Sequence, residues 1–253
     1  TRDFLEKRGI NIGIFSGLGD PVDDSDLDIE GIEFIDYPKE MELLRQHAAA
    51  IHRRLPGFKA VFHIAHSLFT TNNPDRFPDS QVIQENGKQA SWGDGSDFGP
   101  EKKAANYKWW IFYPTPGNSF HDAMMKSVDI MMDDMGWDGA FLDGFLAGYI
   151  SRWNYDGRWD GHSAIIDRES KTIKQKVGSV VLLSQPSMIE YARKIHNKGG
   201  VVIANNTVFT RSIAKEKYIF FDNECASGPQ LHTAPVITAL RGTSAAASTE
   251  KEI

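Results

Sequence analysis

The sequence predicts an α/β fold of the (β/α)8, TIM-barrel type. Short apolar runs alternate with amphipathic stretches, the apolar runs are nearly uninterrupted by polar residues, and polar side chains gather where those runs end. Strands alternating with helices imply a parallel sheet joined by right-handed crossovers. Continuous apolar strands imply burial on both faces. The length of 253 residues suits one such barrel and is ample for a core.

The elements follow in order. Residues 2–7 read as the end of a helix, as though the chain starts inside a domain. Residues 9–15 (GINIGIF) are a first strand, rich in Ile and followed by Ser-Gly. Over 38–55, Met41, Leu44, Ala48, Ile51 and Leu55 recur at helical spacing, and Pro56-Gly57 ends the helix. Residues 58–66 (FKAVFHIAH) are a second strand. Residues 67–106, rich in Gly, Pro, Asn and Asp, read as one long loop, a length usually tied to function. Residues 107–113 (YKWWIFY) are a third strand. Asn118 or Ser119 can N-cap a helix over 120–135, whose Met124, Val128, Met131 and Met132 read as core.

Residues 137–143 (WDGAFLD) are a fourth strand, followed by a polar and aromatic segment over 144–177. A helix over 180–198 contains Pro186, and Gly199-Gly200 stops it. Residues 201–205 (VVIAN) and 218–222 (YIFFD) are the fifth and sixth strands, with a short helix over 207–217 between them. Two strands of a full barrel are therefore not legible. The barrel domain is placed at 1–241, with a flexible tail over 242–253.

Composition excludes several classes. Net charge is −6 with no basic run, which argues against a nucleic-acid partner. The single cysteine, Cys225, cannot form an internal disulfide. No apolar run reaches the ~18 residues that span a bilayer, so no membrane role is expected. No GxGxxG follows the first strand and GxxxxGK[ST] is absent, so no nucleotide cofactor is expected, and neither the Ser-His-Asp hydrolase elbow GxSxG nor HExxH is present. The string 156–161 (DGRWDG) lacks the register and closing glutamate of an EF-hand. His63 and His66 are three apart on a strand and point to opposite faces, a poor metal pair, so no metal site is assigned.

In a barrel, chemistry sits at the C-terminal ends of the strands. The first strand is followed by Ser16 and Asp20, and His63 and His66 stand at the second. Tyr113 ends the third, Asp143 the fourth, Asn205 and Asn206 the fifth, and Asp222 and Glu224 the sixth. Asp143 is the leading catalytic candidate. Alternation puts Gly139, Phe141 and Asp143 on one face and Ala140 and Leu142 on the other, and a carboxylate after an apolar run needs partners. Its structural alternative is a cap or an ion pair. Asp138, at the strand start, reads as structural.

Glycosidic cleavage uses two carboxyl groups. Glu224 is the second candidate, with Asp222 competing for the role. Tyr149, Trp153 and Trp159, interleaved with Asp160 and His162, could form a subsite wall, or equally a small aromatic core of the loop. His63, Tyr113, Asn205 and Asn206 could hold hydroxyl groups, although a core histidine is as good a reading of His63. Asp79 reads as a turn former.

At WDGAFLDGF the chain resembles barrel glycoside hydrolases of the endo-α-1,4-polygalactosaminidase-like group. That resemblance implies Asp143 as nucleophile or base and a glutamate after a later strand as acid, matched here by Glu224. A longer likeness over about residues 59–224 rests on FH near His63, Asp79-Ser80, WDGH at 159–162, LLSQP at 182–186 and Asn205-Asn206. It is similar to a group of bacterial glycosidase-like barrel proteins without an assigned substrate. The implied function is an O-glycosyl hydrolase acting on a poly- or oligosaccharide in a secreted or periplasmic setting. The rival readings are a non-catalytic carbohydrate-binding barrel and a metal-dependent hydrolase using His63, Asp143 and His162.

Overall fold

A computed structural model describes residues 2–15, 31–92, 108–145, 152–205 and 210–222. Helix α1 (Arg2–Lys7) precedes strand β1 (Ile12–Phe15). A 3-10 turn (Ile32–Asp36) leads into α2 (Pro38–Arg54), where Pro38 fits the first turn because its missing N–H would have no partner there. Next come β2 (Lys59–Ala65), β3 (Leu68–Thr71), β4 (Ser91–Trp92) and β5 (Lys108–Ile111). Helix α3 (Ser119–Asp129) runs into a π turn (Ile130–Asp134) before β6 (Gly139–Asp143). Four short strands follow: β7 (Trp153–Asn154), β8 (Ala164–Ile166), β9 (Ile173–Lys176) and β10 (Gly178–Ser179). Helix α4 (Val180–Asn197), β11 (Val201–Asn205), α5 (Arg211–Ala214) and β12 (Ile219–Asp222) complete the described chain. No helix among the described residues is long and apolar enough to cross a membrane.

Five strands form one parallel sheet in the order β1-β2-β6-β11-β12. Each new strand is added on the same side, so right-handed crossovers put the helices on one face. A doubly wound sheet would reverse its order at a switch point. The core confirms the one-sided stacking. Ala60, Phe62, Ile64, Ala140, Leu142, Val202 and Ala204 share one buried cluster with Leu44, Ala48 and Ile51 of α2, Met124 and Val128 of α3, and Tyr191 and Ile195 of α4. Strands β1 and β12 each pair with a single neighbour among the described residues, and no eight-stranded closure is seen among them.

One expected barrel strand belongs elsewhere. Strand β5, the expected third, pairs antiparallel with β3 and β4 in a separate three-stranded sheet. It looks like a barrel strand because both its faces are covered. Trp109 and Ile111 pack with Ala65, Leu68, Val82 and Val180, while Phe112 and the half-buried Trp110 join the main core. The described part of 67–106 is thus a folded module rather than one loop.

Two contacts hold this module over the C-terminal ends of the strands. The Phe77, Phe112 and Phe120 rings meet at centroid distances of 5.1–5.4 Å, joining it to α3. The start of α3 is capped from both sides, with Asn118 accepting from His121 N at 2.9 Å and Asp79 accepting from Ser119 N at 3.0 Å. The second insertion, β7–β10, docks on the first. Ile83 N donates to Asn154 Oδ1 at 2.8 Å, and Tyr155 N donates to Ile83 O at 2.9 Å.

At the opposite end of the sheet, Asp138 accepts from Ala60 N at 2.9 Å and lies 2.7 Å from His52 Nε2 and 3.1 Å from Lys59 Nζ, a structural clasp. Its neighbour Gly139 sits at φ +147° with β11 so close that a Cβ would lie 2.0 Å from Val201 O. Gly139→Ala must therefore push β6 off β11. It should cost about 1–3 kcal/mol or more, read as a lower urea midpoint; an unchanged midpoint would contradict the close approach.

Candidate active site

Strand register assembles the site. Ala65 lies opposite Asp143, and Leu142 opposite Ala204, so Asn205 stands beside Asp143; Asp222 is in turn opposite Asn205. One pleat below, His63, Phe141, Ile203 and Phe220 line up across four strands. Paired residues of parallel strands point to the same face, here the one away from the helices. Asp143 and Asn205 at the strand tips therefore stand above Phe141 and Ile203, with His63 at the end of that lower row. Phe141 is buried, whereas Phe220 at one margin is 38% exposed and Ile14 at the other is 37% exposed.

Asp143 is half-buried, its side chain 30% exposed. Its Oδ1 accepts from Asn205 Nδ2 at 2.6 Å and from Gly144 N at 2.9 Å. Its Oδ2 lies 3.6 Å from His63 Nε2. Burial pushes the carboxyl pKa up, but His63, Asn205 and the Gly144 amide together outweigh it and hold the pKa down at about 2. Asp143 is therefore a standing anion at neutral pH. It suits a nucleophile, a base or a stabiliser of positive charge, and it does not suit a proton donor.

Two histidines support it differently. His63 stacks on Phe141 with centroids 5.4 Å apart and planes 20° off parallel, which fixes its ring in the site. His66 is buried and 2.9 Å from the Asp143 carbonyl oxygen. A carbonyl only accepts, so Nδ1 of His66 carries the proton, and burial lowers its pKa to about 4, keeping the ring neutral. His66 thus pins the backbone that presents Asp143. Sequence reasoning favoured His63 for its depth in the strand, but it held no signal for this role of His66.

The other candidates lie on the two insertions. Tyr113 is buried, and its hydroxyl donates to Asp156 Oδ2 at 2.7 Å. Burial and that carboxylate push its pKa well above the usual phenol value. Asp156 also pairs with Arg158 Nε at 3.1 Å, and Arg158 Nη2 donates to Asp79 O at 2.6 Å, so Tyr113, Asp156 and Arg158 tie the two insertions together. Asp160 accepts from His162 N, Ser163 N, Ser163 Oγ and Ser179 N at 2.6–2.8 Å, making it the organising group of its loop. His162 contributes its backbone there and is itself exposed. Trp153 is 46% and Trp159 44% exposed, with Lys176 Nζ 4.1 Å from the Trp159 ring centroid. Glu224, Tyr149 and Asn206 lie outside the described residues. Among the described residues, no three His, Cys, Asp or Glu side chains group closely enough to hold a metal ion.

Asn205 is thus the residue that orients Asp143. Asn205→Ala removes a charge-assisted hydrogen bond, which should cost about 1.5–3 kcal/mol at pH 7. The sign with pH follows from the lowered pKa of Asp143. A folded pKa of about 2 against an ordinary 3.8 stabilises the fold by about 2 kcal/mol above pH 4, and that is lost as pH falls towards 2. The stability gap between wild type and variant should therefore narrow as pH drops from 4 to 2 in urea titrations. A constant gap would contradict the assignment.

No protein-family model matches the chain, and no curated protein matches it. Among solved structures, the chain is similar to sucrose 6F-phosphate phosphorylase from Thermoanaerobacter thermosaccharolyticum at 10% identity and a TM-score of 0.38. The alignment covers 87% of this chain and 48% of that one, so the chain spans about half the length of that enzyme. A likeness of this size assigns neither a shared fold nor a shared chemistry.

Proposed function

We propose that this chain is a glycoside hydrolase, cleaving O-glycosidic bonds of a poly- or oligosaccharide at the strand-tip face of a (β/α)8-type barrel. The observation that carries this reading is the ionised, oriented Asp143 at the C-terminal end of a central parallel strand, on the face without helices. The sequential strand order with one-sided helices favours a barrel over a doubly wound sheet.

In this reading Asp143 faces the anomeric carbon. As the bond from that carbon to the leaving oxygen breaks, its electron pair moves to the oxygen, which takes a proton from a second carboxylic acid. Asp143 either bonds to the carbon and is later displaced by water, or draws a proton from the water that attacks it. A pKa near 2 keeps Asp143 out of the acid role. Glu224 is the proposed acid, with Asp222 its competitor. The Cα atoms of Asp143 and Asp222 are two strand spacings apart, roughly 10 Å. His63 and Asn205 orient Asp143, and the exposed Trp153 and Trp159 offer flat faces to sugar rings.

That same exposure of Trp153 and Trp159 favours a second reading, a non-catalytic carbohydrate-binding barrel. Turnover separates the two. On a glycan panel, Asp143→Asn should lower kcat by about 10²–10⁴-fold while substrate affinity stays within a few-fold. Glu224→Gln should show the same loss and Asp222→Asn a smaller one. Glycan binding without turnover in the wild-type chain would instead establish the binding module.

A further inference from the structure

The second insertion carries an arm that the candidate site does not use. Strands β8 and β9 pair only with each other among the described residues, and residues 168–176 are exposed without a break. A lone two-stranded hairpin is marginal in water, so this one depends on its turn. Asp167 Oδ1 accepts from Glu169 N at 3.1 Å, from Ser170 N at 2.7 Å and from Ser170 Oγ at 2.8 Å. Asp167 N donates to Thr172 O at 2.9 Å, and Lys171 N donates to Asp167 O at 3.0 Å. Lys171 takes φ +56°, in the left-handed region that L residues seldom enter. These bonds fix the turn in one shape.

What the arm presents is apolar and basic. Ile166 and Ile173 are directly paired, so their side chains share one face of the hairpin. They are 50% and 60% exposed, the two most exposed large hydrophobic residues among those described. Arg168, Lys171 and Lys174 each stand within two residues of that pair along the chain. The side chains of Arg168 and Lys171 make no hydrogen bond or ion pair among the described residues, and Lys174 acts on Asp167 only through its field. Lys176 is engaged over the Trp159 ring, 4.1 Å from its centroid. Of the two acids on the arm, Asp167 is occupied in the turn, which leaves Glu169. This basic arm stands on a chain of net charge −6.

We propose that the β8–β9 hairpin docks the protein on an anionic phospholipid surface. Ile166 and Ile173 enter the boundary between headgroups and acyl chains, while Arg168, Lys171 and Lys174 meet lipid phosphates. Charge and shape select this partner. The free cations call for a negative surface, and a bilayer accepts a projecting arm without supplying a matching groove. Neither half suffices alone, because two isoleucines bury little area and three exposed cations are screened by salt. The acidic remainder of the chain is repelled by the same surface, so the bound protein is oriented arm-first. No helix among the described residues can cross a bilayer, and docking of this kind needs none. The arm needs nothing from Asp143, and the inference stands equally if the chain catalyses nothing.

The test is co-sedimentation of the full chain with vesicles of phosphatidylcholine alone and of phosphatidylcholine and phosphatidylglycerol in equal parts. The expected result is binding to the mixed vesicles that weakens as salt rises, and none to phosphatidylcholine. Ile166→Ser with Ile173→Ser, and Arg168→Gln with Lys171→Gln and Lys174→Gln, should each weaken it at least about tenfold. All five positions are exposed, so the urea midpoint should not move and loss of binding is not loss of fold. Asp143→Asn should bind as the wild type does, which separates this inference from the hydrolase reading. The proposal is overturned if mixed vesicles do not bind, if phosphatidylcholine binds equally, or if either set of variants binds as the wild type does. Lipid-free dimerisation that the isoleucine variant abolishes would assign the arm to a second copy instead. Polygalacturonate binding that ignores the isoleucines, without vesicle binding, would assign it to an acidic polymer.

Discussion

The hydrogen bond from Asn205 to Asp143 is the contact on which the site depends, because it exists only when β6 and β11 pair in one register. A slip by one residue would turn Asp143 into the helix-side core. There an uncompensated carboxylate would sit among Ala204 and Tyr191. The register is guarded at the far end of the same strand pair, where Gly139 lets the backbone of Val201 approach and Asp138 clasps β2 through Ala60 N. Core and site are thus two ends of one constraint. The apolar strand face buries against α2, α3 and α4, and doing so leaves the carboxylate at the tip with its partners in reach.

The row beneath Asp143 explains its electrostatics. Phe141 and Ile203 remove water from below, which alone would favour the protonated form. Asn205, the Gly144 amide and His63 reverse that outcome, and neutral His66 holds the backbone from behind. A group so placed keeps its charge with little reorganisation, as stabilisation of a developing cation requires. The two insertions do a different job. Tyr113, Asp156 and Arg158 lock them to each other over the strand tips while Asp160 orders the loop of the second, and this leaves Trp153 and Trp159 exposed on a stiff support.

The parallel sheet was legible because its strands are apolar on both faces and alternate with helices. Asp143 was legible as the polar group ending such a run. Strand β5 was misplaced for the same reason, since Trp109 and Trp110 are both covered, one by each hydrophobic cluster, and periodicity cannot say by what. The partners of Asp143 and Tyr113 could not be read at all. Asn205 lies 62 residues from Asp143, and Asp156 lies 43 from Tyr113, so only the folded register joins them. Asp160 was within reach. Its bonds to the amides two and three residues on are the local pattern that aspartates make in turns, and this favours a loop-organising role over a sugar contact.

The central claim is that Asp143 is a permanent anion held by its strand neighbours. Its most direct test is a carbon-13 NMR titration of the Asp143 carboxyl in the intact chain. The structure predicts a midpoint at about pH 2, with the signal flat from pH 4 upward. A midpoint at or above the ordinary carboxylate value, near 4, would mean that Asn205 and His63 do not hold the charge, and the proposed chemistry would lose its base.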